Sequence, residues 1–149
     1  MRIYVASSWR NEFQPLVVAG LREDGHDVYD FRHPQSGNNG FAWSALDPEW
    51  QKWTVQAYLV ALRDPLAERG FALDMGALEV ADLCIMVMLC GMSASLETGY
   101  AVGAGKPTAV YVPGMREPDL MVKMADFVTD DLVALCEWAR RQAAVLTTA

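Results

Sequence analysis

The sequence is short of the residue types that would commit it to several common roles. Its three cysteines, Cys84, Cys90 and Cys136, form no CxxC pair, which leaves neither a disulfide framework nor a zinc-ribbon pattern. Two histidines, His26 and His33, are too few for a histidine-rich metal centre. Basic residues are outnumbered, 12 against 19 acidic, for a net charge of -7. Duplex binding needs basic stripes that displace counterions, so no nucleic acid polymer is expected as a partner. A small anion held by a local cluster of donors is still compatible with that balance. No apolar run reaches the ~18 residues of a membrane span, and Arg10 and Glu12 come too early for a signal peptide. The expectations are therefore no membrane partner and a cytoplasmic location. Neither GxxxxGK[ST] nor GxGxxG occurs.

What the chain does have is apolar material, 52% of 149 residues. That is enough for one domain, residues 1–149, with one core. Residues 2–6, RIYVA, read as a short buried strand, SSWRNEFQ as a loop, PLVVAGLREDG as a helix ending at Gly25, and HDVYDF as a second strand. Residues 32–47 form a long loop whose Phe41 and Trp43 imply packing against something. PEWQKWTVQAYLVALRDPLAERG reads as a helix with a break near Pro65, and FALDMGALEVA as a further helix. DLCIMVML is the cleanest buried strand, followed by SASLETGYAVGAG as helix and PTAVYV as strand. EPDLMVKMAD, FVT and DDLVALCEWARRQAAVL read as a short helix, a minimal strand and a closing helix with Asp130 and Asp131 at its positive end. The alternation predicts an α/β fold: a doubly wound parallel sheet of five strands, flavodoxin-like in order, between two helical layers. Ligands of such sheets bind beyond the carboxyl ends of the strands, at the topological switch point. That brings the loops after Ala6, Phe31 and Leu89 together.

In that corner GMSASLETGY, residues 91–100, places one carboxylate, Glu97, among apolar and small residues. On a helix starting near Ser93 or Ala94, Glu97 leans back toward the first turn and the pocket. The loop Gly91-Met92-Ser93 offers backbone N–H groups and a hydroxyl to an anion. The alternative is a helix cap at Ser93 or Ser95, with Glu97 solvated or part of a capping box. Gly99 and Gly103 would let the helix approach the sheet or a partner helix closely. Asp74 interrupts another apolar run, either as a pocket carboxylate facing Glu97 or on the outside of an amphipathic helix. Tyr4 is either a core aromatic or a hydroxyl reaching a carboxylate near the strand ends. Ser7, Ser8 and Arg10 suit phosphate. Trp43, Trp50 and Trp53 suit a base-stacking wall or, alternatively, core and interface packing. Met115 to Met124 suits packing rather than a cofactor.

Together these pieces resemble the nucleoside 2-deoxyribosyltransferase superfamily. The resemblance rests on IYVASSW at the first strand, Asp74 within FALDMGALEVADLCIMV, and LETGYAVGAGKP, across roughly residues 1–112. The opening ASSWRN and GHDVYDFR are similar to a bacterial subgroup within it. The resemblance implies a glutamate nucleophile opening an E-x-G-Y-A segment, matched by Glu97. It implies a first-strand tyrosine that orients the nucleophile, matched by Tyr4, and an aspartate supporting base protonation or sugar binding, matched by Asp74. Ser7, Ser8, Trp9, Arg10, Gly91, Ser93, Ser95 and Trp43 are then the substrate-binding candidates. The resemblance calls for no metal and no cofactor, and implies a homodimer or larger homo-oligomer. The chain departs from the transferases at Gly91, where they carry an acidic residue that contacts the base. Ser93 and Ser95 replace two loop glycines, which resembles the nucleoside 5'-monophosphate hydrolases, where a hydroxyl there helps bind phosphate.

The activity so implied is cleavage of the N-glycosidic bond of a nucleoside or nucleoside 5'-monophosphate, by hydrolysis or by transfer to a second base. Two other readings stay open at this point. One is a nucleotide-binding or sensing module without turnover, which Gly91 favours. The other is an NAD-cleaving enzyme built on the same sheet and glutamate.

Overall fold

The structure is a computed structural model and describes residues 1–35, 37–115 and 117–148. Among them, five parallel strands form one sheet: β1 (Arg2–Ala6), β2 (Asp27–Asp30), β3 (Leu83–Val87), β4 (Thr108–Tyr111) and β5 (Phe127–Thr129). Their order is β2-β1-β3-β4-β5, the flavodoxin-like arrangement with its switch point between β1 and β3. The helices are α1 (Gln14–Glu23), α2 (Val55–Ala61), α3 (Pro65–Val80), α4 (Met92–Gly103) and α5 (Leu132–Thr148).

Strand residues alternate between two layers, as period-two geometry requires. Ile3 and Val5 of β1 and Leu83, Ile85 and Val87 of β3 pack with Val17, Val18 and Leu21 of α1 and Leu135 and Trp138 of α5. Tyr4, Ala6, Cys84 and Met86 point the other way, to Leu78 of α3, Ala81, and Ala94 and Ala101 of α4. Helices thus cover both faces, giving three layers. β3 is buried at every residue, the mark of a central parallel strand with both faces covered.

The differences from the expected elements have local causes. α3 starts with Pro65 in its first turn and Asp64 Oδ1 accepting from the Leu66 N–H at 2.8 Å. It then runs unbroken through Gly70, so FALDMGALEVA is its continuation rather than a further helix. The preceding residues form a 3-10 turn (Trp50–Lys52) and the short α2 instead of one long helix. Gly70 has a tertiary role: a Cβ there would lie 2.6 Å from Phe41 Cβ, so the long loop crosses α3 at this point. Gly40, at φ +72°, turns that loop where a Cβ would meet the Phe31 carbonyl. EPDLMVKMAD is a 3-10 turn over Leu120–Met124, and Met115, Met121 and Met124 are exposed rather than packed. α4 meets the sheet side through Ala94, Thr98 and Ala101, a stripe at helical spacing. Gly99 and Gly103 lie off that stripe and face open space, so they do not provide the close approach to the sheet. Among the described residues no helix is long and apolar enough to cross a membrane.

Candidate active site

The parallel register of β1 and β2 pairs Tyr4 with Tyr29. Their rings stack with centroids 5.3 Å apart and planes 15° from parallel. Two carboxylates meet this pair, Asp74 from α3 and Glu97 from α4, and both are half-buried. The Tyr29 hydroxyl donates to Asp74 Oδ1 at 2.8 Å. Tyr4 is wholly buried. Its hydroxyl completes no hydrogen bond of good geometry among the described residues, yet it lies near enough to Glu97 to favour that group's ionised form. Tyr4 is therefore both a core aromatic and a donor poised toward a carboxylate.

Burial pushes the Glu97 carboxyl up to about 7, the charge of Asp74 adds to the effect, and the Tyr4 hydroxyl opposes it. Burial also raises Asp74, against the pull of the Tyr29 hydrogen bond. The Asp74 charge therefore bears on the ionisation of Glu97. Both phenols are held above their ordinary range by burial and by the neighbouring carboxylates, so at neutral pH they are donors. The Cys84 thiol is pushed up to about 12 by burial, with Glu97 adding to it, which keeps it protonated and unreactive.

Neither Ser93 nor Ser95 caps α4. The N-cap is Gly91, with no side-chain cap, and Ser95 Oγ makes only a 3.5 Å contact back to the Gly91 carbonyl. Glu97, six positions past that cap, is out of capping-box reach. The capping alternative is therefore set aside, and the first-turn N–H groups of α4 stand open to another acceptor.

The flanking loops are tied to one another. Ser7 Oγ donates to the Val87 carbonyl at 3.0 Å. The buried Asn11 amide donates to Val87 and Leu89 carbonyls at 3.0 and 3.2 Å, while its Oδ1 accepts the Phe13 N–H at 2.9 Å. The loop after β1 thereby grips the end of β3 and the loop that follows it. From the far side, Arg32 donates to the carbonyls of Ser8 and Asn11 at 2.8 and 2.7 Å, and Asp30 Oδ1 accepts from Gln14 Nε2 and Arg32 N.

Of the sequence-predicted residues, Tyr4, Asp74 and Glu97 converge. Ser8 is half-buried, and Arg10, Gly91, Ser93 and Ser95 are exposed on the two loops. The hydroxyl hydrogen of Ser7 is directed inward and committed to Val87. Trp9 Nε1 donates to the Phe41 carbonyl at 3.0 Å and its ring meets Phe31 edge-on. Trp43 sits edge-on to Phe41, Trp53 and Tyr58. Phe41 in turn packs at Gly70, one helical turn before Asp74 on α3. Sequence reasoning missed Tyr29, Asn11 and Arg32. The available signal for Tyr29 was its place as third residue of β2, matching Tyr4 as third residue of β1. A groove of about 380 Å³ along β2, lined among others by Arg2, Arg22, His33 and Tyr29, does not include either of the paired carboxylates. Among the described residues no group of His, Cys, Asp and Glu could hold a metal ion.

No family model matches the chain, and no curated protein matches it by sequence. Solved structures do match by fold. The chain has the fold of a 2-deoxyribosyltransferase. The enzyme of Bacillus psychrosaccharolyticus aligns at a TM-score of 0.61 and 20% identity, over 91% of this chain and 90% of that one. A conserved protein from Enterococcus faecalis V583 aligns at 0.60 and 15% identity, over 95% and 98%. The Clostridium botulinum CMP N-glycosidase BcmB aligns at 0.53 and 12% identity, over 94% and 99%.

Proposed function

We propose that this chain belongs to the nucleoside 2-deoxyribosyltransferase superfamily and breaks the N-glycosidic bond of a nucleoside or nucleoside 5'-monophosphate, with Glu97 as nucleophile. The observation that carries this reading is the pair of half-buried carboxylates brought by two helices onto a stacked tyrosine pair. N-glycosidic cleavage builds positive charge at the anomeric carbon while electrons flow into the base. A partly desolvated carboxylate acts strongly on that charge.

Ionised Glu97 attacks the anomeric carbon. The bond from that carbon to the base nitrogen breaks, and its electron pair leaves with the base, which takes up a proton. A glycosyl ester of Glu97 results. Water then attacks the anomeric carbon and releases Glu97 as a carboxylate with free sugar, or a nitrogen of a second base does so and the outcome is transfer. Tyr4, whose hydroxyl has no hydrogen-bond partner among the described residues, suits holding one oxygen of Glu97. Asp74 takes the second role, assisting base departure or accepting a hydrogen bond from the sugar. The open first turn of α4, Ser93, Ser95 and Arg10 suit a 5'-phosphate. The exposed Met92, Leu96 and Tyr100 of α4 and Phe71 of α3 suit a second copy of the chain.

The test is a panel of nucleosides, nucleoside 5'-monophosphates and NAD, each incubated with wild type and Glu97→Ala, with and without a second base as acceptor, and read by chromatography for free base. Base released by wild type alone supports cleavage and fixes the substrate class. Binding without release from any member would instead support a nucleotide-binding module, the reading that Gly91 favours.

A further inference from the structure

We propose that Tyr29 is a positioning residue that fixes the resting proton of the carboxylate pair on Glu97, by donating its hydroxyl hydrogen to Asp74. The inference deepens the reading of Glu97 as nucleophile and rests on it for its catalytic meaning; its geometric basis is the Tyr29–Asp74 hydrogen bond and the stacked phenols. The two phenols are register partners on adjacent strands and stack on each other. Their hydroxyls serve the two acids unequally. Tyr29 makes a 2.8 Å bond to Asp74 Oδ1, whereas the Tyr4 hydroxyl completes no bond of good geometry. A full hydrogen bond to a carboxylate stabilises its charge. Two nearby carboxylates in a partly buried site do not readily ionise together, so the acid with the weaker donor keeps the proton longer.

The surroundings agree. Glu97 is faced by Asp74 of α3, Tyr4 of β1, Tyr29 of β2, Cys84 of β3 and Cys90 of the following loop. Asp74 is faced by Tyr29, Tyr4 and Glu97. Tyr29 also feels Asp30 on its own strand. None of these neighbours is a cation, so nothing among them offsets the repulsion within the pair. In this arrangement Asp74 is the charged acceptor at rest and Glu97 becomes nucleophilic only on losing the shared proton.

The experiment is a titration of side-chain carboxyl ¹³C signals of Glu97 and Asp74 in wild type, Tyr29→Phe and Asp74→Asn. Phenylalanine keeps the stacked ring and deletes only the donor. Wild type should show Asp74 ionising first. In Tyr29→Phe the Asp74 midpoint should rise and the Glu97 midpoint fall, each by about one unit or less, and in Asp74→Asn the Glu97 midpoint should fall further. Unmoved midpoints in Tyr29→Phe, or a rise at Glu97, would overturn the proposal. Wild type supplies a second readout that needs no variant: the Tyr29 Cζ signal should step with the Asp74 ionisation, and a step with Glu97 instead overturns the assignment. Base release measured on the same proteins separates this inference from the reaction. Titrations as expected with no base from wild type would leave the proton assignment standing and sink the nucleophile. Base release whose acid limb is the same in wild type and Tyr29→Phe, with unmoved titrations, would do the reverse.

Discussion

The two faces of the sheet are built from the same strands and do different work. On the α1 and α5 face, β1 and β3 contribute Ile3, Val5, Leu83, Ile85 and Val87, and the helices answer with large side chains including Leu21, Leu135 and Trp138. On the α3 and α4 face the same strands contribute Tyr4, Ala6, Cys84 and Met86, and α4 answers with Ala94 and Ala101. One face is filled by bulk. The other is built smaller and carries two acids and two phenols. Because successive residues of a strand point to opposite faces, alternate positions of one strand furnish the packed face and the candidate site separately. Damage to the two faces should therefore separate.

The largest effect expected is from Glu97→Gln, which should lower base release by ~10³-fold or more, as loss of a nucleophile does. The same change should strengthen the fold at alkaline pH. The folded value of Glu97, about 7, stands above its ordinary 4.5. Its contribution to stability is thus fully present below about 4.5 and is lost as pH rises through about 7. At ~1.4 kcal/mol per unit, the loss is on the order of 3 kcal/mol for a group this buried. Denaturant melts of both proteins at pH 5 and pH 8 should show wild type weakening relative to the glutamine variant. A variant that weakens in parallel would mean that Glu97 is not desolvated.

Ile85→Ala tests the opposite face. It should cost roughly 2–5 kcal/mol of stability through the cavity it leaves, with activity per folded molecule retained. A loss of kcat without a loss of stability would break the separation of the faces. On the site face, Tyr4→Phe should do the reverse. Its hydroxyl is buried without a completed bond, so deleting it should change stability by less than ~1 kcal/mol, while base release falls about tenfold. The acid limb of base release in wild type should lie near about 7, where Glu97 ionises. In Tyr4→Phe that limb should move up, because the group favouring the charged form has gone. A limb at 4 to 5 in wild type would remove Glu97 as the titrating group.

The same contrast explains what was legible in the sequence. The strands RIYVA, DLCIMVML (observed as Leu83–Val87) and FVT and their order followed from apolar runs separated by helical patterns. Glu97 and Asp74 stood out because a lone acid in an apolar run is costly unless it is used. What did not show depended on contacts far apart in the chain. The break before Pro65 could be read from proline, but the reason for a glycine at position 70, inside α3, is Phe41 crossing there. Gly99 and Gly103 looked like packing glycines, whereas alanines and Thr98 make the buried stripe. HDVYDF reads as an ordinary alternating strand, and only the register with β1 places Tyr29 beside Tyr4. Asn11 reads as a loop asparagine until its carbonyl partners at the end of β3 and in the loop beyond it are known.

The smallest effect should come from a group on neither face. Arg2, at the amino end of β1, pairs with Asp82 at 3.1 Å, and its guanidinium is largely exposed. The Asp82 carboxylate also accepts the Arg2 backbone N–H at 2.8 Å, and that backbone bond is the first cause holding Asp82 below the usual carboxylate range. Arg2→Ala keeps the backbone donor and loses only an exposed ion pair, so it should cost less than ~1 kcal/mol and leave base release unchanged. Asp82→Ala loses the acceptor for both and should cost more than Arg2→Ala at pH 7. Because the folded value of Asp82 is depressed, its contribution is present above the unfolded value and disappears as pH falls through the folded one. The difference between the two variants should therefore shrink toward acid pH in the same melts. A larger loss from Arg2→Ala than from Asp82→Ala would mean that the side-chain pair, and not the backbone bond, anchors the start of β1.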